Sequence, residues 1–385
     1  MATFLFLLIE FFDELVFSVS NAAWPLIRTD LALNYLQIGV ILSLPGFLAN
    51  FVEPFIGVLG DVWKRRVLIL GGGTVYAIAL ALTATSHSFV PLLLAFILIN
   101  PASGAFVSLS QATLMDSDPS RHEQNMARWT FAGSVGVFVG PLVFSGALAL
   151  AFGWRAAFWV LAGVTILVLF AAWRNFPADG TQRSDFLSVK TLWQGFGNAF
   201  SALRRGEVLR WIVLLEFSDL TLDVLYGFLA LYFVDVAGLS AGQAALAVAV
   251  WTGVGLLGDF LLIPLLERVR GLDYLRLSVL VELLLFPAFL LIPNVWAKFV
   301  LLGLMGFFNA GWYAILQGNL YKSMPGQSGT VMALGNIAGL FGKLLPFGIG
   351  MAAQAWGLQW AMWLLLAGPL VLLVGLPSKR ADARV

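Results

Sequence analysis

Nine carboxylates lie inside apolar stretches of this sequence: Glu10, Asp13, Glu14, Glu53, Glu216, Asp219, Asp223, Asp259 and Glu282. Acids in such surroundings exchange protons, hold cations, or close ion pairs and hydrogen bonds that brace a fold. Spacing sorts them into faces. Glu10, Asp13/Glu14, Phe17 and Asn21 recur at helical intervals, and so do Glu216, Asp219, Asp223 and Tyr226. Asn309, Tyr313 and Gln317 form a third stripe, and Asn100, Ser103 and Gln111 a fourth polar set. One base, Lys343, falls in the middle of an apolar stretch, beside Gly342 and before Pro346. The two histidines, His87 and His122, sit between apolar stretches and cysteine is absent, so a zinc site or a Ser-His or Cys-His nucleophile lacks its parts. Gly342-Lys343 is followed by Leu344, and no phosphate-cradling Gly-x-x-x-x-Gly-Lys-[Ser/Thr] loop occurs. No enzyme chemistry and no cofactor are expected.

The elements that position these groups come in two copies. An ungapped offset of 206 residues carries Glu10, Phe11 and Asp13 onto Glu216, Phe217 and Asp219. It carries Gln37 onto Gln243, Glu53 onto Asp259, Asp61 onto Glu267 and Gln111 onto Gln317. Pro119 and Pro325, Met126-Ala127 and Met332-Ala333, Gly133 and Gly339, and Gly136 and Gly342 pair in the same register. Parallel repeats of this kind place a substrate site at their interface near the bilayer midplane.

The chain is 60% hydrophobic and 11% charged, where a soluble protein carries about a quarter charged residues. Twelve apolar windows are long enough to span a hydrocarbon core of about 30 Å. They fall near 4–26, 36–59, 67–86, 89–113, 127–150 and 155–175, then 209–234, 240–266, 274–292, 296–320, 328–354 and 357–377. The expectation is an all-α polytopic membrane protein of twelve transmembrane helices in two pseudo-symmetric six-helix bundles, 1–176 and 209–385. The linker 177–208 places Leu192, Phe196, Phe200 and Leu203 at helical spacing, which reads as an interfacial amphipathic helix or a plain connector. With the N-terminus inside, 18 Lys and Arg fall in cytoplasmic stretches and three (Arg28, Arg155 and Lys298) outside, so both termini are expected in the cytoplasm of a multi-pass cell-membrane protein. A net charge of +1 gives no reason to expect nucleic acid.

After the second helix comes Gly57-Val58-Leu59-Gly60-Asp61-Val62-Trp63-Lys64-Arg65-Arg66. It resembles the signature loop of the major facilitator superfamily, with Lys64 where a second glycine is usual, and Leu265–Gly271 is a degenerate second copy. The fifth helix carries Gly133, Gly136, Gly140-Pro141 and Gly146, a spacing that brings two helices close. That run resembles the helix-5 motif of the superfamily's drug/proton antiporters. Tight packing explains it as well. The resemblance implies that helices 1, 4, 7 and 10 line a central cavity and that the protein works as a monomer. The intramembrane arginine of helix 4 in those antiporters has no counterpart here, so coupling would run through helices 1 and 7.

Charges at a helix centre cost about 2.5–3.5 kcal/mol each, so the nine acids must face water, pair, or carry a proton. Asp13, Glu14, Asp219 and Asp223 are expected deepest in the cavity, as coupling groups. Glu10 and Glu216 read as coupling acids or as solvated residues of the cytoplasmic mouth. Glu53 and Asp259, with Gly57, Asp61, Arg65, Arg66 and Glu267, read as a cytoplasmic gate. Glu282 reads as the structural partner of a polar neighbour, and Lys343 as a buried base, either in a structural ion pair across the C-terminal half or as a charge released when a coupling acid protonates. The expected partners are protons, a small-molecule substrate and the lipid bilayer. A proton-coupled exporter of cationic or amphipathic molecules is one reading, and a proton-coupled importer of a sugar or organic acid is the other.

Overall fold

A computed structural model describes residues 2–62, 64–117, 122–176, 203–324, 334–335 and 338–377. Trp63, Pro119, Arg121, Pro325, Met332-Ala333 and the linker positions Leu192, Phe196 and Phe200 lie outside the described residues. So does the side chain of Asp61.

The first half holds six helices: α1 (Ala2–Asp30), α2 (Tyr35–Val62), α3 (Arg65–Thr85), α4 (Phe89–Ser103, extended by Leu109–Ser117), α5 (His122–Ala149) and α6 (Trp154–Asn175). The second holds α7 (Gly206–Asp219, extended by Leu225–Asp235), α8 (Ala241–Leu266), α9 (Gly271–Leu291), α10 (Val295–Asn309 and Trp312–Ser323), α11 (residues 338–342 and Leu345–Trp356) and α12 (Leu358–Ala361 and Ala367–Gly375). Nine described helices are long and apolar enough to cross a membrane by composition alone. Those outside that count are α1, whose Glu10, Asp13 and Glu14 dilute its apolar run, α7 and α11.

Contacts group the chain into two units, Met1–Ser188 with Gly238–Ala249, and Val189–Ala237 with Val250–Val385. In the first, α1 packs along α5 and against α6, α3 packs on α4 and α6, and α2 on α4. Leu5, Phe6, Ile9, Ile69, Phe106 and Val168 form a core where these helices meet. The second unit packs α7 on the latter part of α10 and on α12, and α9 on the first part of α10. Trp211, Leu214, Leu275, Val279, Trp312 and Leu372 fill its centre. Large apolar side chains such as Phe260, Leu284, Trp296 and Val374 are exposed on the helices, the surface a bilayer covers.

The α1–α5 contact depends on glycine. A Cβ at Gly136 would collide with the Phe11 carbonyl, one at Gly140 with Ser18 Oγ, and one at Gly133 would lie 2.6 Å from Glu10 Oε1. The Ser18 hydroxyl donates to the Gly136 carbonyl at 3.3 Å and closes the approach. Pro141 lies buried inside the same helix.

Among the described residues α4, α7 and α10 are irregular inside their spans, as are α11 and α12. A π-turn covers Gly104–Ser108 in α4, just after Pro101, which withdraws an N–H from the helical ladder. A second π-turn covers Leu220–Val224 in α7. In α10 the helix stops at Asn309 and restarts at Trp312, with Gly311 at φ +72°. The offset of 206 carries Gly104-Ala105 onto Ala310-Gly311, so α4 and α10 lose their regularity at the same place in the repeat.

Candidate functional site

Each unit crowds three carboxylates on one helix, α1 in the first and α7 in the second. In the first, Ser103 Oγ donates to Asp13 Oδ1 and Oδ2 at 3.1 and 3.0 Å. The hydroxyl of Tyr76, buried on α3, donates to the same carboxylate. Asp13 is thus a partly buried acid held by two hydroxyls from α3 and α4. Ser103 is the last residue before the π-turn of α4, which sets where its hydroxyl stands. Glu10 is buried against α5, where it takes the Trp129 indole N–H and lies on Gly133. Glu14 is half-buried on Gly133 and Gly136. The three acids lie close enough to interact electrostatically.

In the second unit, Asp219 interacts with both Glu216 and Asp223, and Lys343 adds a positive charge within reach of Asp219 and Glu216. The Glu216 carboxylate rests on Gly342, the repeat counterpart of Gly136, where a Cβ would collide with its Oε2. Asp219 is half-buried and Asp223 exposed. Tyr226 is buried with its ring 5.4 Å from that of Trp251. The π-turn between Asp219 and Tyr226 inserts a residue into the register and separates Tyr226 from the face it would share in a regular helix.

Several expectations are corrected. Glu10 is not a solvated mouth residue, since it is buried on Gly133 of α5; Glu216 is half-buried on Gly342 of α11. Lys343 is not buried; it is exposed in a turn between the two helical parts of α11. The buried base is Lys298, expected in an outer loop. It is 4% exposed in the first turn of α10 and donates to Tyr232 Oη at 2.7 Å and to the Phe289 carbonyl at 2.5 Å. Both rings lie 5.0 Å from its ammonium. The α10 stripe does not exist as a single face, because the break at Gly311 separates buried Asn309 from exposed Tyr313 and half-buried Gln317. Asn21 and Asn100 donate to the carbonyls four residues back, Phe17 and Phe96. Gln111 Nε2 approaches Met126 Sδ at 3.6 Å.

The loop after α2 is braced from its own unit. Arg65 donates to the Gly60 carbonyl at 2.9 Å and pairs with Asp116, at the end of α4, at 2.5 Å. Arg66 donates to the Trp173 carbonyl, near the end of α6, at 2.7 Å. Gly57 has open space around it, and Glu53 lies against Gly104. Asp259 does not join its half's copy of that loop; it accepts the Gly311 N–H at 2.9 Å, in the break of α10. Glu267 is exposed just after α8. Asp116, Trp129 and Tyr76 went unnoticed in the sequence, and Lys298 was read there only as an outer charge. Only Tyr76 had a signal there, since the offset carries it onto Glu282.

A family model described as Major Facilitator Superfamily matches residues 6–346. The chain is 26% identical over 341 residues, 82% of its length and 80% of the relative's, to the multidrug resistance protein MdtG of Proteus mirabilis (strain HI4320). Among solved structures it is similar to a bacterial homologue of the human lysosomal transporter Spinster, in an inward-facing and occupied conformation. The TM-score is 0.80 at 16% identity, covering 99% of this chain and 96% of that one. It is also similar to the nucleoside transporter NupG, with a TM-score of 0.80 at 13% identity, covering 97% and 98%.

Proposed function

We infer a function from one premise: the chain belongs to the major facilitator superfamily. It is therefore a multi-pass membrane transporter. We propose that it is a proton-coupled exporter of cationic or amphipathic small molecules, working as a monomer in the cell membrane by alternating access. The observation that carries this reading is the crowding of acids on the first helix of each unit: Glu10, Asp13 and Glu14 on α1, and Glu216, Asp219 and Asp223 on α7. Like charges so placed repel, and a proton or a cationic substrate relieves that repulsion. The two ligands therefore compete for the same groups. Competition of this kind is what exchange requires, because a ligand drives a conformational change only through its different affinities for the two states.

Asp13 is the group best prepared for the exchange, since two hydroxyls hold it while the residue stays partly exposed. Asp219 is its counterpart in the repeat. One proton moved down 100 mV supplies about 2.3 kcal/mol, enough for a substrate gradient of roughly 50-fold. The resistance name of the MdtG relative supports export.

The test uses proteoliposomes loaded with a pH-sensitive dye and holding a proton gradient. Organic cations and amphipathic drugs are expected to release protons from wild type, and Asp13→Asn or Asp219→Asn to abolish the release. A sugar or carboxylate moving in the same direction as the proton would replace the exporter with an importer. Release undiminished in both variants would remove these acids from coupling.

A further inference from the structure

The break in α10 is dressed by polar groups, and all but one set are satisfied. The Gly311 N–H is taken by Asp259 Oδ1 at 2.9 Å. The Tyr274 hydroxyl serves the carbonyls of Phe308 and Ala310 at 3.4 and 3.3 Å. The Trp312 indole N–H reaches Ser278 Oγ at 2.8 Å. The exception is Glu282 on α9, with Asn309 at the last turn before the break. Glu282 is 0% and Asn309 4% exposed, and the Asn309 amide faces the Glu282 carboxylate. Beyond each other, both carboxylate oxygens and both amide atoms are buried without a hydrogen-bond partner among the described residues.

A buried carboxylate left in this state is costly, and the usual remedy is a base or several donors. No base is at hand. Lys298 spends its ammonium on Tyr232 and Phe289, and it lies eleven residues from Asn309 along one helix, about 16 Å. Arg276 is engaged by Asp273 and the Pro377 carbonyl.

The repeat sharpens the contrast. The offset of 206 carries Tyr76 onto Glu282 and Ser103 onto Asn309. In the first unit these positions are hydroxyls that donate to a carboxylate on α1. In the second the same two positions are a carboxylate and an amide, so Glu282 is an acceptor where Tyr76 is a donor, and Asn309 adds an amide oxygen beside its N–H groups. Asn309 also closes the first part of α10, whose C-terminal end carries the negative pole of the helix dipole and carbonyls without helical partners. Half-helix C-termini and unwound carbonyls are groups that hold small cations inside membrane proteins.

We propose that Glu282, Asn309 and the carbonyl end of the first part of α10 form a binding site for one monovalent cation of the size of Na+. A single carboxylate balances a single positive charge, which disfavours a divalent ion. The oxygen donors suit a hard cation. The site is distinct from the acids assigned to proton exchange, and it stands or falls on binding alone.

Purified protein in detergent is melted in NaCl and in choline chloride at equal ionic strength and pH, and wild type is titrated with NaCl by calorimetry. A saturable rise in melting temperature with Na+ alone is expected, since a ligand bound by the folded state stabilises it. Glu282→Gln is expected to weaken the response by at least about tenfold. Asn309→Ala should reduce it, and exposed Glu207→Gln should keep it. Equal melting in both salts with no saturable heat from wild type overturns the proposal without any variant. A full Na+ response surviving in Glu282→Gln overturns it too.

Discussion

Two hydroxyls hold Asp13, and a carboxylate so held is oriented as well as stabilised, because each donor fixes one lone-pair direction. Removing one donor leaves buried acceptor capacity unmet at a cost of about 1–3 kcal/mol. Ser103→Ala and Tyr76→Phe are each expected to lower the melting temperature of the purified protein and the rate of proton-coupled transport. The double variant should lose less than the sum, because the two donors serve one carboxylate. Strictly additive losses in melting would mean that Tyr76 and Ser103 stabilise their helices independently of Asp13. Ser103 was legible in the sequence as part of a polar set. Tyr76 had only its offset onto Glu282 to mark it, because a lone tyrosine on an apolar helix reads as core. Lys343 and Lys298 show the same limit. Hydropathy places a residue by depth along the chain and says nothing of which way its helix turns. The lysine predicted to be buried is exposed, and the one assigned to a loop is caged by Tyr232 and Phe289.

Among the elements, the spans were the most legible feature, since runs of about 20 apolar residues have few other uses. The interruptions were not legible. Glycine and proline are tolerated inside membrane helices, so Pro101, Gly104 and Gly311 do not announce a π-turn or a break. Their consequence is large, because the break separates Asn309 from Tyr313 and turns one expected stripe into two environments. Gly311 is the residue that allows it. At φ +72° a side chain is strained, and a Cβ would collide with Leu262. Gly311→Ala is therefore expected to destabilise the protein by about 1–3 kcal/mol. Gly318, seven residues on in the helix that resumes, has no atom within 4 Å of a Cβ. Gly318→Ala should be neutral or stabilise by up to about 1 kcal/mol. Thermal melts of the two variants side by side check the contrast. Equal shifts would show that the left-handed turn at Gly311 is not required.

For the whole molecule, the repeat and the charge asymmetry act on different properties. The repeat sets which side chains face one another within each unit, while the loops set how the chain is threaded through the bilayer. Both connections after α2 and α8 carry clustered bases, Lys64, Arg65 and Arg66 in one and Arg268 and Arg270 in the other. The connections after α3 and α9 carry none. Positive loops stay on the cytoplasmic side, so Lys64 should face the cytoplasm and His87, between α3 and α4, the opposite side. Both residues are exposed, and the chain contains no cysteine, so single substitutions label against a silent background. A membrane-impermeant maleimide is expected to modify His87→Cys in intact cells. It should modify Lys64→Cys only after the membrane is opened. The reverse pattern would invert the threading of all the helices and with it the direction assigned to export. Labelling at both sites in intact cells would place the two connections on one side, which a single crossing by α3 forbids.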